Sequence, residues 1–157
     1  MQDKIRRLRH NIYISGFGVV ILGFWNVVKT ILTMTAGTAQ TYNPEEYTKA
    51  ERIFINIFVV VIILFVSGIF FSVHLYIGTN AMKVGKGERR KRRFIIACVF
   101  LIILSLVNIP SYFVALAHPA TWDTIFASIL VDLTLVVCLG DILYSNRMIK
   151  KLSERKR

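Results

Sequence analysis

Residues 53–82 read IFINIFVVVIILFVSGIFFSVHLYIGTNAM and contain no Asp, Glu, Lys or Arg. A transmembrane helix needs about 20 consecutive apolar residues, and this stretch is longer than that. Two further stretches, 10–28 and 94–122, lack the same four residue types. We therefore interpret the chain as a polytopic membrane protein rather than as a soluble domain.

The composition of the whole chain supports this interpretation. Hydrophobic residues make up 55% of its 157 residues and charged residues 18%. Soluble domains are usually about 45–50% apolar and about 25% charged. A disordered chain is excluded by the same numbers, since disordered segments are poor in apolar residues.

The apolar pattern predicts four transmembrane helices, over 12–34, 53–78, 94–117 and 123–145. Helices are expected because every backbone polar group must be satisfied within the hydrocarbon. The sequence lacks the alternating pattern that is typical of a membrane β-barrel. We expect an all-α protein, a four-helix transmembrane bundle that forms a single membrane domain over 1–157.

Positive charge lies almost entirely on one side of the predicted bundle. Seventeen of the 20 Lys and Arg residues lie in the segments 1–10, 79–93 and 146–157. The segment between the first two spans carries three Glu residues beside Lys49 and Arg52. By the positive-inside rule, both termini and the basic segments 79–93 and 146–157 are predicted to be cytoplasmic. This arrangement predicts a multi-pass protein of the cell membrane.

The basic segment after the second span includes Arg89, Arg90, Lys91, Arg92 and Arg93. Such residues near an anionic membrane surface contribute about 1 kcal/mol each. We therefore predict contact with anionic lipid headgroups, and docking of an acidic protein partner is an alternative. Nucleic acid is not expected as a partner, because no nucleic-acid-binding fold accompanies the charge.

Five polar residues fall at similar depth in the outer half of the predicted bundle. They are Asn26, Lys29, Ser105, Asn108 and Asp132. Polar groups inside a membrane are costly and tend to face protein or water. One hypothesis is a polar cavity in which Asp132 binds a proton, a cation or a cationic substrate. A second is a buried Lys29–Asp132 pair that fixes the helix register. A third is that Lys29 reaches the outer headgroups while a protonated Asp132 bonds to Asn108.

A second polar layer is predicted toward the cytoplasm, formed by Ser72, His74 and Asp141. A catalytic triad is not favoured, because no nucleophile-elbow sequence surrounds Ser72. We expect His74 to lie near the cytoplasmic headgroups. Asp132 and Asp141 are nine residues apart, on opposite faces of one helix. We expect one of these two acids to face a different neighbour, another subunit or the inner membrane interface.

Small residues indicate where the helices approach one another closely. A stripe of small and polar residues, spaced three or four apart, runs along the first span from Gly16 through Gly23 to Thr30. Gly68 and Ser72 form a small-xxx-small pair in the second span. Such patterns permit close contact between membrane helices.

No catalytic, metal-binding or cofactor motif is present in the sequence, so we predict no catalytic residue, metal or cofactor. Cys98 and Cys138 lie inside apolar runs without a ligand-like spacing. We favour a non-enzymatic integral membrane protein that acts as a homo-oligomer or as a subunit of a larger membrane assembly. The alternative is a small transporter or channel that uses the polar layer around Asp132. A lipid-active membrane enzyme that uses His74 and Asp141 is the least favoured hypothesis.

Overall fold

The computed structural model describes residues 2–41, 48–88, 93–115 and 122–154. These residues form four α-helices and no strand: α1 (Gln2–Thr41), α2 (Lys49–Gly85), α3 (Arg93–Ala115) and α4 (Trp122–Glu154). The prediction of an all-α protein is confirmed for this part of the chain. Each helix contains a segment long and apolar enough to cross a membrane.

The four helices coincide with the four predicted spans. α1, α2 and α4 extend several residues beyond the predicted apolar segments, into polar sequence that is also helical. The last two residues of the third predicted span, 116 and 117, lie outside the described residues. Pro110 lies inside α3, which continues past it to Ala115.

Local sequence explains why α2 begins and ends where it does. Thr48 caps its first turn in a reciprocal capping box with Glu51, in which the backbone N of Thr48 donates to the Glu51 carboxylate over 2.9 Å. At the other end, Gly87 has a φ of +94°, a conformation that glycine adopts without penalty. It permits the closing bonds of a Schellman motif, including the bond from the backbone N of Glu88 to the carbonyl of Lys83 at 3.1 Å.

The helices are arranged as a ring. α1 packs against α2 and α4, and α3 completes the ring by packing against α4 and α2. α1 and α3 therefore lie diagonally opposite each other. α2 runs antiparallel to α1, since Gly16 lies against Ala81 whereas Gly23 lies against His74. α4 does so as well, since Ser15 contacts Asp141 whereas Lys29 contacts Asp132.

Glycines bring α1 and α2 unusually close. A Cβ atom at Gly16 would lie 2.9 Å from both the carbonyl O of Gly78 and the Cβ of Ala81. A Cβ atom at Gly85 would lie 2.8 Å from the carbonyl O of Arg9. The predicted seam on the first span therefore packs against α2. Gly16 and Gly23 are two helical turns apart, as are Gly78 and Gly85, so the close contact continues along the pair.

The buried interior is narrow and the outside of the bundle is apolar. Fully buried apolar side chains include Ile12, Val19, Ile77, Leu139 and Ile142. Large apolar side chains on the outside are widely exposed, as at Phe65, which is 69% exposed. Soluble monomers rarely expose apolar surface on this scale. This distribution is compatible with a helical membrane protein.

Candidate functional site

An ion pair joins α1 to α4 within the bundle. The Nζ atom of Lys29 lies 3.8 Å from Oδ2 of Asp132, and the side chains are 22% and 8% exposed. Asp132 lies on the α4 stripe that also buries Ser128 and Leu135. The stem of Lys29 brings its ammonium group to this stripe from the neighbouring helix. The structure therefore shows the Lys29–Asp132 contact that the second of the three hypotheses requires.

The ion pair borders a cavity of about 310 Å³ between the helices. We call it the polar cavity. It is lined by polar residues from all four helices: Asn26, Lys29, Thr30, Ser67, His74, Ser105, Asn108 and Asp132. Its apolar lining consists of Val27, Phe70, Leu101, Leu104 and Leu135. All five residues of the predicted outer layer are thus brought together around one space. Asn108 is exposed, so the cavity reaches the protein surface beside α3.

Two buried polar atoms in the cavity wall lack a hydrogen-bond partner within the described part of the chain. They are Nε2 of His74 and Oγ of Ser67. The two residues are only 2% and 3% exposed. Nearly all buried polar groups in proteins are paired, so two such atoms beside one cavity indicate that they face something other than protein.

The orientation of His74 follows from its own helix and from α1. Its Nδ1 lies 2.8 Å from the backbone carbonyl O of Phe70. A carbonyl oxygen only accepts, so Nδ1 carries the hydrogen. Gly23 packs directly against the Cβ and ring of His74. A side chain at position 23 would occupy the space that the imidazole fills.

The structure does not bring Ser72, His74 and Asp141 of the predicted inner layer together. Ser72 is exposed and donates to the carbonyl O of Gly68 over 2.8 Å. His74 lines the polar cavity with Asp132 instead. Positions 72 and 74 are about 200° apart around a helix, so the two side chains cannot face the same neighbour. The structure therefore gives no support to an enzyme built on these residues.

Asp141 lies in a separate polar cluster with two serines. Its Oδ2 accepts from Oγ of Ser15 at 2.7 Å, and its Oδ1 accepts from Oγ of Ser145 at 3.2 Å. Asp141 and Asp132 occupy different faces of α4, yet both contact α1. The two acids have different contacts, Ser15 and Ser145 for Asp141 but Lys29 for Asp132. Ser15 was not identified from the sequence, since a lone serine in a span carries no signal of its partner.

A layer of buried apolar side chains separates the polar cavity from the Asp141 cluster. On α1, Val19 lies between Ser15 and Asn26, and on α4, Leu135 and Leu139 lie between the two acids. All three apolar residues are essentially inaccessible. The polar cavity is therefore closed toward the end of the bundle at which the basic segments lie.

That basic end carries an open groove on its surface. The groove is lined by the first turns of α1 and the end of α2, including Arg6, Arg9 and Lys86. The Nζ atom of Lys86 lies 5.9 Å from the ring centroid of Tyr13. Of the basic residues predicted to contact anionic lipid, residues 89–92 lie outside the described part, and Arg93 is exposed at the start of α3.

No group of three or more His, Cys, Asp or Glu residues able to hold a metal ion occurs in the described residues. Cys98 is buried and Cys138 half-buried, both as free thiols. No known protein family matches the chain, and no curated protein or solved structure is significantly similar to it. Fold and site define an all-helical protein with four membrane-compatible helices around an internal polar cavity.

Proposed function

We propose that the chain is inserted in the cell membrane through its four helices, with both termini and the 79–93 segment in the cytoplasm. The segregation of basic residues to one end of the bundle supports this orientation. The apolar exterior supports insertion, because lipid rather than water would solvate it. In this orientation the polar cavity lies in the outer half of the bundle and is closed toward the cytoplasm.

We further propose that the protein binds and transports a small polar solute through the polar cavity. The observation that carries this proposal is the convergence of polar groups from four helices on one space of about 310 Å³. Binding pockets are typically about 300–1,000 Å³ with a few convergent polar groups. A purely structural ion pair has no need of an adjoining cavity with two further buried polar atoms.

A counterflow assay in proteoliposomes tests transport. A mixture of small radiolabelled amino acids, sugars and amines is offered to vesicles preloaded with the unlabelled compounds. We expect wild-type protein to accumulate at least one label and Asp132→Asn to lose at least nine-tenths of that uptake. Asp141→Asn is the matched control, because the same substitution on the same helix lies outside the cavity, and it retains uptake. Equal uptake by wild type, Asp132→Asn and empty liposomes would contradict the proposal.

The second candidate function is assembly into a homo-oligomer or with another membrane protein. It is favoured by the small-xxx-small pair of Gly68 and Ser72, which faces outward rather than toward another helix of the bundle. A Cβ atom at Gly68 would meet nothing within 4 Å, and an apolar surface groove runs past both residues. Small residues at such a position permit close approach of a second helix. Assembly and transport are compatible in one protein.

A further inference from the structure

The unpaired atoms of the polar cavity restrict what it can bind. Because Nδ1 of His74 donates to Phe70, Nε2 of the neutral imidazole is an acceptor. This acceptor is buried and has no partner within the described residues. A solute in contact with His74 therefore has to present a hydrogen-bond donor. Ser67 places no such restriction, since a hydroxyl both donates and accepts.

The charges of the cavity restrict the net charge of the solute. Lys29 and Asp132 supply one positive and one negative charge, 3.8 Å apart. A net cation or anion would add an uncompensated charge beside a pair that is already neutral overall, which is costly where the pair is largely withdrawn from water. A solute with both charges adds none, because its cationic group faces the carboxylate and its anionic group faces the ammonium.

The size of the cavity restricts the solute further. Its volume of about 310 Å³ lies at the lower end of the range of about 300–1,000 Å³ that is typical of small-molecule pockets. The amides of Asn26 and Asn108 and the hydroxyl of Ser105 line the same space and offer both donors and acceptors. The site therefore suits a compact molecule with few non-hydrogen atoms.

We propose that the polar cavity binds a small zwitterion with an N–H-bearing ammonium group, held by Asp132 and His74, and an anionic group, held by Lys29. This inference rests on the proposed function and names the class of solute. A free amino acid and the phosphoethanolamine headgroup of a lipid share this chemistry.

Calorimetric titration of the purified full chain in mild detergent tests the inference with matched probes. β-Alanine carries both charges and N–H donors. Glycine betaine carries both charges but no N–H donor, ethylamine only the positive charge, propionate only the negative charge, and glycerol neither. We expect β-alanine to bind at least tenfold more tightly than each of the other four. Phosphatidylethanolamine and phosphatidylcholine, added to the micelles in parallel, distinguish a lipid headgroup from a free amino acid as the source.

Variants locate the binding. We expect His74→Phe, which keeps a ring against Gly23 but removes Nε2, to weaken β-alanine binding at least tenfold, as does Asp132→Asn. Asp141→Asn leaves the affinity within twofold. If phosphatidylethanolamine rather than β-alanine is the ligand that binds, the same variants weaken its effect, and phosphatidylcholine has none. The wild-type comparison of probes stands even if a variant does not fold.

The outcomes separate this inference from the proposed function. Tighter binding of ethylamine, propionate or glycerol, lost in Asp132→Asn, overturns the zwitterion and retains a solute site in the cavity. Equal binding of betaine and β-alanine overturns the role of His74 as acceptor. If no probe binds, the proposed zwitterion is wrong. If, in addition, the cavity proves inaccessible to water, the proposed solute site is wrong as well.

Discussion

At the scale of single residues, the Lys29–Asp132 pair sets the chemistry of the bundle. Each charge is largely withdrawn from solvent, and the other charge is what makes its burial tolerable. Breaking a buried pair leaves one uncompensated charge and typically costs about 3–5 kcal/mol. Removing both charges leaves none, so the double substitution is the informative comparison.

We predict that Asp132→Asn lowers stability by about 3 kcal/mol, the lower end of that range, because Lys29 is partly exposed. The double variant Lys29→Met/Asp132→Asn recovers at least half of the loss. Thermal unfolding in mild detergent measures both. Asp132→Asn protein as stable as wild type would show that Lys29 does not depend on this carboxylate.

Sequence reasoning succeeded for single residues where depth alone decided the outcome. Depth along a helix follows from about 1.5 Å of rise per residue, and Asn26, Ser105 and Asp132, which share a predicted depth, line the same cavity. His74 was placed too far toward the cytoplasm. Its neighbour is decided by the close approach of α1 at Gly23, and a single sequence does not show which helix lies opposite.

At the scale of the helices, α1 and α2 form the most closely packed pair. The glycine seam permits this contact, and the contact in turn holds His74 at the wall of the polar cavity. α3 has no comparable glycine seam in its described part, although it contributes Ser105 and Asn108 to the cavity. The α1–α2 pair is therefore the most closely packed wall of the cavity.

We predict that Gly16→Ala destabilises the protein by about 1–3 kcal/mol, the usual cost of overpacking a close contact. The added methyl would collide with backbone of α2 at Gly78. Gly140→Ala is the matched control, since its methyl meets nothing within 4 Å, and we expect no loss. Thermal unfolding of the two variants side by side decides the matter. Equal stability of Gly16→Ala and wild type would mean that the helices are not in contact there.

The number and type of the helices followed directly from the sequence, because long uncharged runs have few alternatives in lipid. The order of the helices around the ring did not follow. Contacts between helices that follow each other in the sequence are expected from the short connections between them. The contact of α1 with α4 depends instead on which face of each helix points into the bundle. Asp141 shows this, since its partner Ser15 lies 126 residues away.

At the scale of the whole molecule, the apolar exterior leaves a surface that lipid or a second copy can cover. Gly68 and Ser72 give one part of it a shape suited to another helix. We predict that the protein is larger than its monomer mass of 18.0 kDa in mild detergent after correction for bound detergent, and that Gly68→Ile reduces it to a monomer.

Gly140→Ile is the matched control for the oligomer, because a Cβ atom at Gly140 also meets nothing within 4 Å but the residue lies on α4. We expect this variant to keep the oligomeric state of the wild type. Light scattering coupled to size-exclusion chromatography measures the mass of all three proteins. A monomeric wild type, or a Gly68→Ile protein with unchanged mass, would contradict assembly through this surface.

We propose that the membrane-inserted bundle holds a polar cavity that is open to water on its outer side. Labelling of single cysteines from outside intact cells tests it most directly, in a background with Cys98→Ala and Cys138→Ala. Asn108→Cys lies at the cavity, whereas Val107→Cys, one residue away at the same depth, lies on the apolar exterior, where Val107 is 66% exposed. We predict that a membrane-impermeant thiol reagent labels Asn108→Cys at least tenfold faster than Val107→Cys. Equal rates at the two positions, or labelling of Asn108→Cys only after the cytoplasmic side is opened, would show that the cavity is not open to water on the outer side.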